Sequence, residues 1–297
     1  MWLIALLPAI IASIWIFRSN SLRIIASCVA ISVVLEMIVN YFYISKDIAS
    51  NWSSVTLGVL LALMLPYNAP WWIILSGCFI MIIIGKKLFG GLGAYPVHPA
   101  VLSFAIMLIS WPDRFDYTAS LISVEFGNLM IEPIRLVKTL GASAESTFDW
   151  QSLLLGYQVA GIGNALVVFL LGGGLFLIIA RQITWHIPLS FLVGTFFMAL
   201  TLHMIEPTQF ATPVFHILAG STIFGAFFLA TDYTTSPANP IPMLLYGFLG
   251  GVLMVLIRSF SNYTNGVVFA ILLINLCYPL LDRITPKVYG LEEARNA

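Results

Sequence analysis

Long apolar runs alternate along this chain with short breaks of polar residues, glycine and proline. Read by apolar length they predict about ten helical spans, near 2–17, 22–44, 55–66, 70–86, 97–111, 162–180, 186–204, 215–230, 241–257 and 266–281. Two spans are unusual. "VTLGVLLALML", Val55 to Leu65, reaches about 16 Å at the helical rise, cannot cross a hydrocarbon core of roughly 30 Å, and stops at "PYNAP". "HILAGSTIFGAFFLA", His216 to Ala230, is also short and stops at "TDYTTSP". Laid together, Gly58 falls on Gly225, Pro70 on Pro237, Lys87 on Arg258 and Phe89 on Phe260. The pattern predicts an all-α polytopic membrane protein in which residues 1–111 and 156–297 each form a five-helix repeat. Five is odd, so the second repeat enters from the opposite face, an inverted pair with broken helices.

Residues 112–155 are too polar to cross a bilayer and too rich in Phe, Ile and Leu for a disordered linker, which predicts a functional extramembrane loop. Composition sharpens this picture. With 60% hydrophobic residues, 9% charged and a mean hydropathy of +0.98, the chain lies far from soluble globular proteins. Its formal net charge is zero and it has no basic tract, which excludes nucleic acid as a partner and leaves the lipid bilayer. Most of the charges are expected to mark loops. On that basis Lys46, Lys86, Lys87, Arg181, Arg283, Lys287 and Arg295 share one side, and Arg18, Arg23 and Arg258 the other. The excess predicts cytoplasmic termini and an outward-facing 112–155 loop, with Arg18 and Arg23 arguing the other way. Cys28, Cys78 and Cys277 lie in apolar runs without a C-x-x-C spacing, so they read as small buried hydrophobes and not as ligands of zinc or an iron–sulfur cluster. "MWLIALLPAIIASIWIF" lacks a basic leader and a cleavage site and reads as a first membrane helix.

Paired short segments at matching places in two halves point to a binding site near the midplane. In "GGLGAYPVHPA", Gly90, Gly91 and Gly93 permit close backbone approach, and His98 offers a ring nitrogen to a ligand; a plain helix–helix contact explains the glycines equally well. "LATDYTTSPANP" sets Asp232 among Thr231, Thr234 and Ser236, where the carboxylate either lines a site or caps the next helix. Glu36 and Asn40 sit at i, i+4 on the second span, facing an ion path or simply bonding each other. No nucleophile–base pairing, H-E-x-x-H or P-loop occurs, so catalytic and metal-ligating residues are both assigned as none.

The stretches "KLFGGLGAYPVHPAVLSFAIMLISWP", "LLLGYQVAGIGNALVVFLLGGGLFLI", "FGAFFLATDYTTSP" and "NGVVFAILLINLCYPLLDRITPKVYG" resemble the D subunit of Rnf electron-transport complexes and its relative, the B subunit of the sodium-pumping NADH:quinone reductase. The resemblance covers nearly the whole chain in order. It implies membership of a redox-driven Na⁺ or H⁺ translocase in a bacterial inner membrane, with iron–sulfur and flavin subunits as partners and no catalysis by this chain alone. It also implies flavin: one FMN joined by a phosphoester to a threonine in an S-G-A-T-P-L segment, and a further flavin, FMN or riboflavin, held non-covalently among the helices. In "LMIEPIRLVKTLG" Pro133 and Lys138 match that segment, but Glu132 stands at the threonine position. A carboxylate has no hydroxyl to esterify and repels a phosphate. Covalent FMN is therefore not expected, while a pocket around Gly90, Gly91, Gly93, His98, Thr231, Asp232, Thr234 and Ser236 is. The contrasting expectation is a non-redox carrier, channel or scaffold on the same helices, with Glu132, Arg135 and Lys138 as a surface charge cluster.

Overall fold

A computed structural model describes residues 1–43, 48–115 and 132–284. Among them are helices, turns and no strands. The first helical stretch, α1, spans Trp2–Tyr43 but breaks at Arg18, whose φ of 54° and ψ of −135° lie outside helical space. Residues 13 and 21 of a straight helix would stand about 12 Å apart. Here the Ser13 and Ser21 hydroxyls hydrogen-bond each other, so the chain doubles back at Arg18 and α1 is a helical hairpin. Helix α2 follows at Ile48–Met64, and α3 at Trp71–Phe79, which runs on as a π-helical segment Ile80–Lys87; α4 spans Pro99–Ser110. Among the described residues between α4 and α7 are the short α-helices α5, Pro133–Leu140, and α6, Trp150–Leu155. Five further elements follow among the described residues: α7 Val167–Ile179, α8 His186–Ile205, α9 Pro213–Leu218 with α10 Thr222–Phe224 and its π-helical continuation Gly225–Leu229, α11 Pro240–Phe260, and α12 Gly266–Leu281.

Three stretches, Trp2–Phe42, His186–Ile205 and Pro240–Phe260, are long and apolar enough to cross a bilayer, and shorter apolar helices fill the space between them. Large apolar side chains such as Trp15, Ile179, Met204 and Leu276 remain exposed, as lipid-facing residues must. Cys28 and Cys78 are buried as expected, but Cys277 is exposed beside Leu276 and Leu280, so it faces outward from α12. The π segments end at the two polar breaks, Lys86–Lys87 in one half and Thr231–Asp232 in the other. A second arginine, Arg181, also adopts φ 54°, and it makes the turn from α7 to α8 just as Arg18 makes the turn inside α1.

The short span predicted at 55–66 begins earlier, at Ile48, because the polar stretch "NWSS" continues the helix inward and its serines serve a buried lysine. At its other end α2 stops inside the protein. The chain preceding α7 supplies what the stopped helix lacks: the Ile162 N–H donates to the Leu65 carbonyl at 3.0 Å, and the Gly163 and Asn164 N–H groups donate to the Leu63 carbonyl at 3.0 and 3.1 Å. A Cβ on Gly161 would lie 2.5 Å from the Met64 carbonyl oxygen, so only glycine permits this approach. For the same reason α7 starts at Val167 and not at 162: residues 157–166 are capping backbone, not helix.

Candidate functional site

A cavity of about 390 Å³ opens between the two halves. Trp2, from the start of α1, and Phe228, from the second π segment, meet edge-to-face on its wall with ring centroids 6.2 Å apart. Trp52, Tyr95 and Tyr233 add aromatic surface, and Ser53, Thr56, His98 and Asp232 supply the polar groups. The Tyr95 hydroxyl donates to Asp232 Oδ1 at 3.3 Å, and the Thr235 hydroxyl to Oδ2 at 3.3 Å. Asp232 is thus held by side chains from both halves of the chain. Among the described lining residues Asp232 is the one acidic side chain, and no lysine or arginine joins it.

The residues singled out in the sequence distribute unevenly around this cavity. His98 and Asp232 line it. His98 caps α4, and its ring accepts from the Val101 N–H at 3.4 Å. With its amide oxygen turned toward His98, Asn275 accepts from the His98 N–H at 3.0 Å and donates to the Tyr246 hydroxyl at 2.5 Å. Gly90, Gly91 and Gly93 have φ of 108°, 97° and 90° and shape the loop that carries the lining residues Leu92 and Tyr95. Thr231 and Ser236 spend their hydroxyls on the Phe227 and Asp232 carbonyls, at 2.7 Å each, and Thr234 lies on the same turn. Sequence reasoning missed Trp2, Trp52 and Tyr95, which carry no motif. The signal that could have marked Trp52 and Tyr95 was their place beside the two interrupted segments.

Glu36 and Asn40 do not bond only each other. Glu36 is fully buried with Lys86: its Oε2 lies 3.1 Å from Lys86 Nζ and its Oε1 2.7 Å from Lys87 Nζ, and the side-chain exposures are 0% for Glu36 and Lys86 and 14% for Lys87. Asn40 Oδ1 accepts from Lys87 Nζ at 2.6 Å. Lys86 also donates to Ser53 and Ser54, at 2.7 and 3.1 Å, and Ser54 donates to Glu36 at 3.0 Å. Ser53 belongs both to this cluster and to the cavity wall. The expectation that these cations mark a loop is therefore corrected. Lys86 and Arg258 are among the largest fully buried side chains, and with Lys87 they leave the tally of loop charges.

Glu132 sits at the N-cap position of α5 and is 9% exposed, so it is not part of a surface charge cluster. It lines a small cavity with Arg258 and Asn164. Lys138 is likewise committed, donating to the Arg258 carbonyl at 3.0 Å and to the Ser261 carbonyl, which closes the C-terminal end of α11. Its partial burial holds its pKa below that of a free lysine. Asp116 and Glu125 of the predicted loop lie outside the described residues.

Helix lengths, lipid-facing apolar surface and an interior that keeps its charges paired together define a multi-pass α-helical membrane protein. Comparison with known proteins goes one step further: residues 1–290 match the NQR2, RnfD, RnfE family, and the chain belongs to it. Its similarity to proteins named as the D subunit of an ion-translocating oxidoreductase complex runs end to end. It is 36% identical to the one from Alcanivorax borkumensis, covering 96% of this chain and 90% of that protein. It is 33% identical to those from Pectobacterium atrosepticum (98% and 93% covered) and Vibrio cholerae (97% and 93% covered).

Proposed function

We propose that this chain is the membrane subunit of an Rnf-type electron-transport complex in a bacterial inner membrane, with cytoplasmic termini, iron–sulfur and flavin partner subunits, and a flavin held without a covalent bond in the cavity between its halves. The observation that carries this reading is the lining of that cavity. Aromatic walls from Trp2, Trp52, Tyr95, Phe228 and Tyr233 suit a flat ring system. The hydroxyls of Ser53 and Thr56 and the Asp232 carboxylate suit a polyhydroxy chain, and with no lysine or arginine among the described lining residues riboflavin fits better than FMN. A flavin bound there would supply one- and two-electron transfer. The chain's own residues hold and insulate it: Tyr95 fixes Asp232, and Ser53 links the wall to Lys86 and, through it, to Glu36. A change of charge in the cavity is felt first at Ser53 and then by the Glu36–Lys86–Lys87 cluster. This gives a direct connection from the proposed redox site to buried charged groups suited to bear on ion movement. Covalent flavin is not part of the reading, because Glu132 offers no hydroxyl at the position where the resemblance implies an attachment.

The test is the flavin content of detergent-purified protein before and after denaturation, read beside in-gel fluorescence. Riboflavin released on denaturation, with a dark protein band, is the expected result. A fluorescent band would overturn the assignment of Glu132. No flavin in either fraction of an intact preparation would favour a carrier or scaffold on the same helices.

A further inference from the structure

Arg258, on the last turn of α11, is 1% exposed. Only one arm of its guanidinium is spoken for: Nη1 donates to the His216 carbonyl at 2.9 Å. Nε and Nη2 are buried without a hydrogen-bond partner, and so is Oδ1 of Asn164. Arg258 and Asn164 line one small cavity of about 20 Å³, room for roughly one water molecule. The backbone keeps this space open. Gly220 has φ 69°, and a Cβ there would stand 3.2 Å from Nη2 and 2.8 Å from Ile134 Cδ1. Ser221, also on the wall, spends its proton on Asn265 Oδ1 at 2.9 Å. One acidic side chain belongs to the lining, that of Glu132, brought in by the entry to α5. Lys138, the nearest lysine of α5, is turned to the carbonyls of Arg258 and Ser261 instead.

A buried guanidinium with two donors free is costly unless an anion or its hydration shell satisfies them. The fork of Nε and Nη2 is the geometry that receives two oxygens of one oxyanion side by side. We propose that the Arg258 cavity is an oxyanion site whose resident ligand is the Glu132 carboxylate, supplied by the chain itself, and that a small free carboxylate occupies it when that side chain is removed. The site ties the outer segment to the second half of the protein by charge. It does not depend on what fills the larger cavity.

The experiment is chemical rescue on the full chain purified in detergent. Thermal unfolding is followed by tryptophan fluorescence in sodium formate and in sodium chloride at matched ionic strength. Glu132→Ala is expected to lower the midpoint by about 4 °C or more. Formate should restore at least about half of that loss and chloride little, because formate presents the two oxygens that the fork receives. Glu132→Gln keeps the side-chain volume, so it folds even where the alanine variant does not accumulate; it should show the loss without the rescue. In Glu132→Ala/Arg258→Met the response to formate should disappear. An unchanged midpoint in Glu132→Ala, equal rescue by chloride and formate, or formate rescue that survives loss of Arg258 would each overturn the proposal.

Discussion

Each half of the protein buries a cation near the end of a helix, and the two are neutralised differently. In the first half Lys86 and Lys87 close directly on Glu36, at 3.1 and 2.7 Å, with Ser53, Ser54 and Asn40 taking the remaining donors. Of these partners, Glu36 and Asn40 lie on α1 and Ser53 and Ser54 on α2. In the second half Arg258 has one arm on a carbonyl and two buried donors beside a cavity, and the acid lining that cavity is Glu132, at the N-cap of α5. The first pair of cations closes on an acid of a long apolar helix; the second cation faces a cavity whose acid stands at the N-cap of α5.

The contrast is broken most severely by Glu36→Ala, which takes the acid from one fully buried ammonium group and one half-buried one. A loss of about 3–5 kcal/mol follows, read as failure to accumulate in membranes or a fall in the unfolding midpoint of about 10 °C. Lys86→Met should cost less, about 2 kcal/mol, since Glu36 keeps Lys87 while the vacated volume is refilled by a flexible apolar chain; Lys87→Met, at a partly exposed position, should cost still less. The order Glu36→Ala, Lys86→Met, Lys87→Met in a detergent melting series is the check. Gly161→Ala pushes a Cβ against the Met64 carbonyl and should destabilise by about 1–3 kcal/mol in the same assay, with protease sensitivity rising around residues 157–166. Lys138→Ala opens the carbonyl end of α11 and should cost about 1 kcal/mol, an effect that moves the second half without touching the first. The smallest expected effect is Tyr95→Phe, which removes one hydrogen bond to Asp232 and should weaken flavin retention about five-fold by dialysis, with little change in stability.

The apolar rhythm made most of the helices legible. The predicted 266–281 coincides with α12, and 186–204 with α8 to within a residue. It failed where polarity serves the interior. "NWSS" reads as a loop, yet Ser53 and Ser54 are helical and solvate Lys86. Two adjacent lysines before a glycine pair read as an interfacial boundary because their anion, Glu36, lies fifty residues earlier and pairing across that distance leaves no local pattern. The cue was Glu36 itself: a carboxylate within an apolar span requires a cation, and the π segment carries the nearest ones. Glu132 was legible as a departure from an expected threonine, but its burial beside Arg258 depends on how the outer segment docks, which no spacing reveals. The aromatic wall of the large cavity was hidden for the same reason, since Trp2 and Phe228 meet only in the fold.

The stopped end of α2 has a mechanical consequence. Its carbonyls are satisfied by the backbone of residues 162–164, which belong to the other half. Pulling the halves apart along that seam would leave Leu63 and Leu65 carbonyls with no donor in a lipid environment, whereas turning one half about the seam keeps the donors within reach. The seam therefore resists separation of the two halves more than their rotation about it.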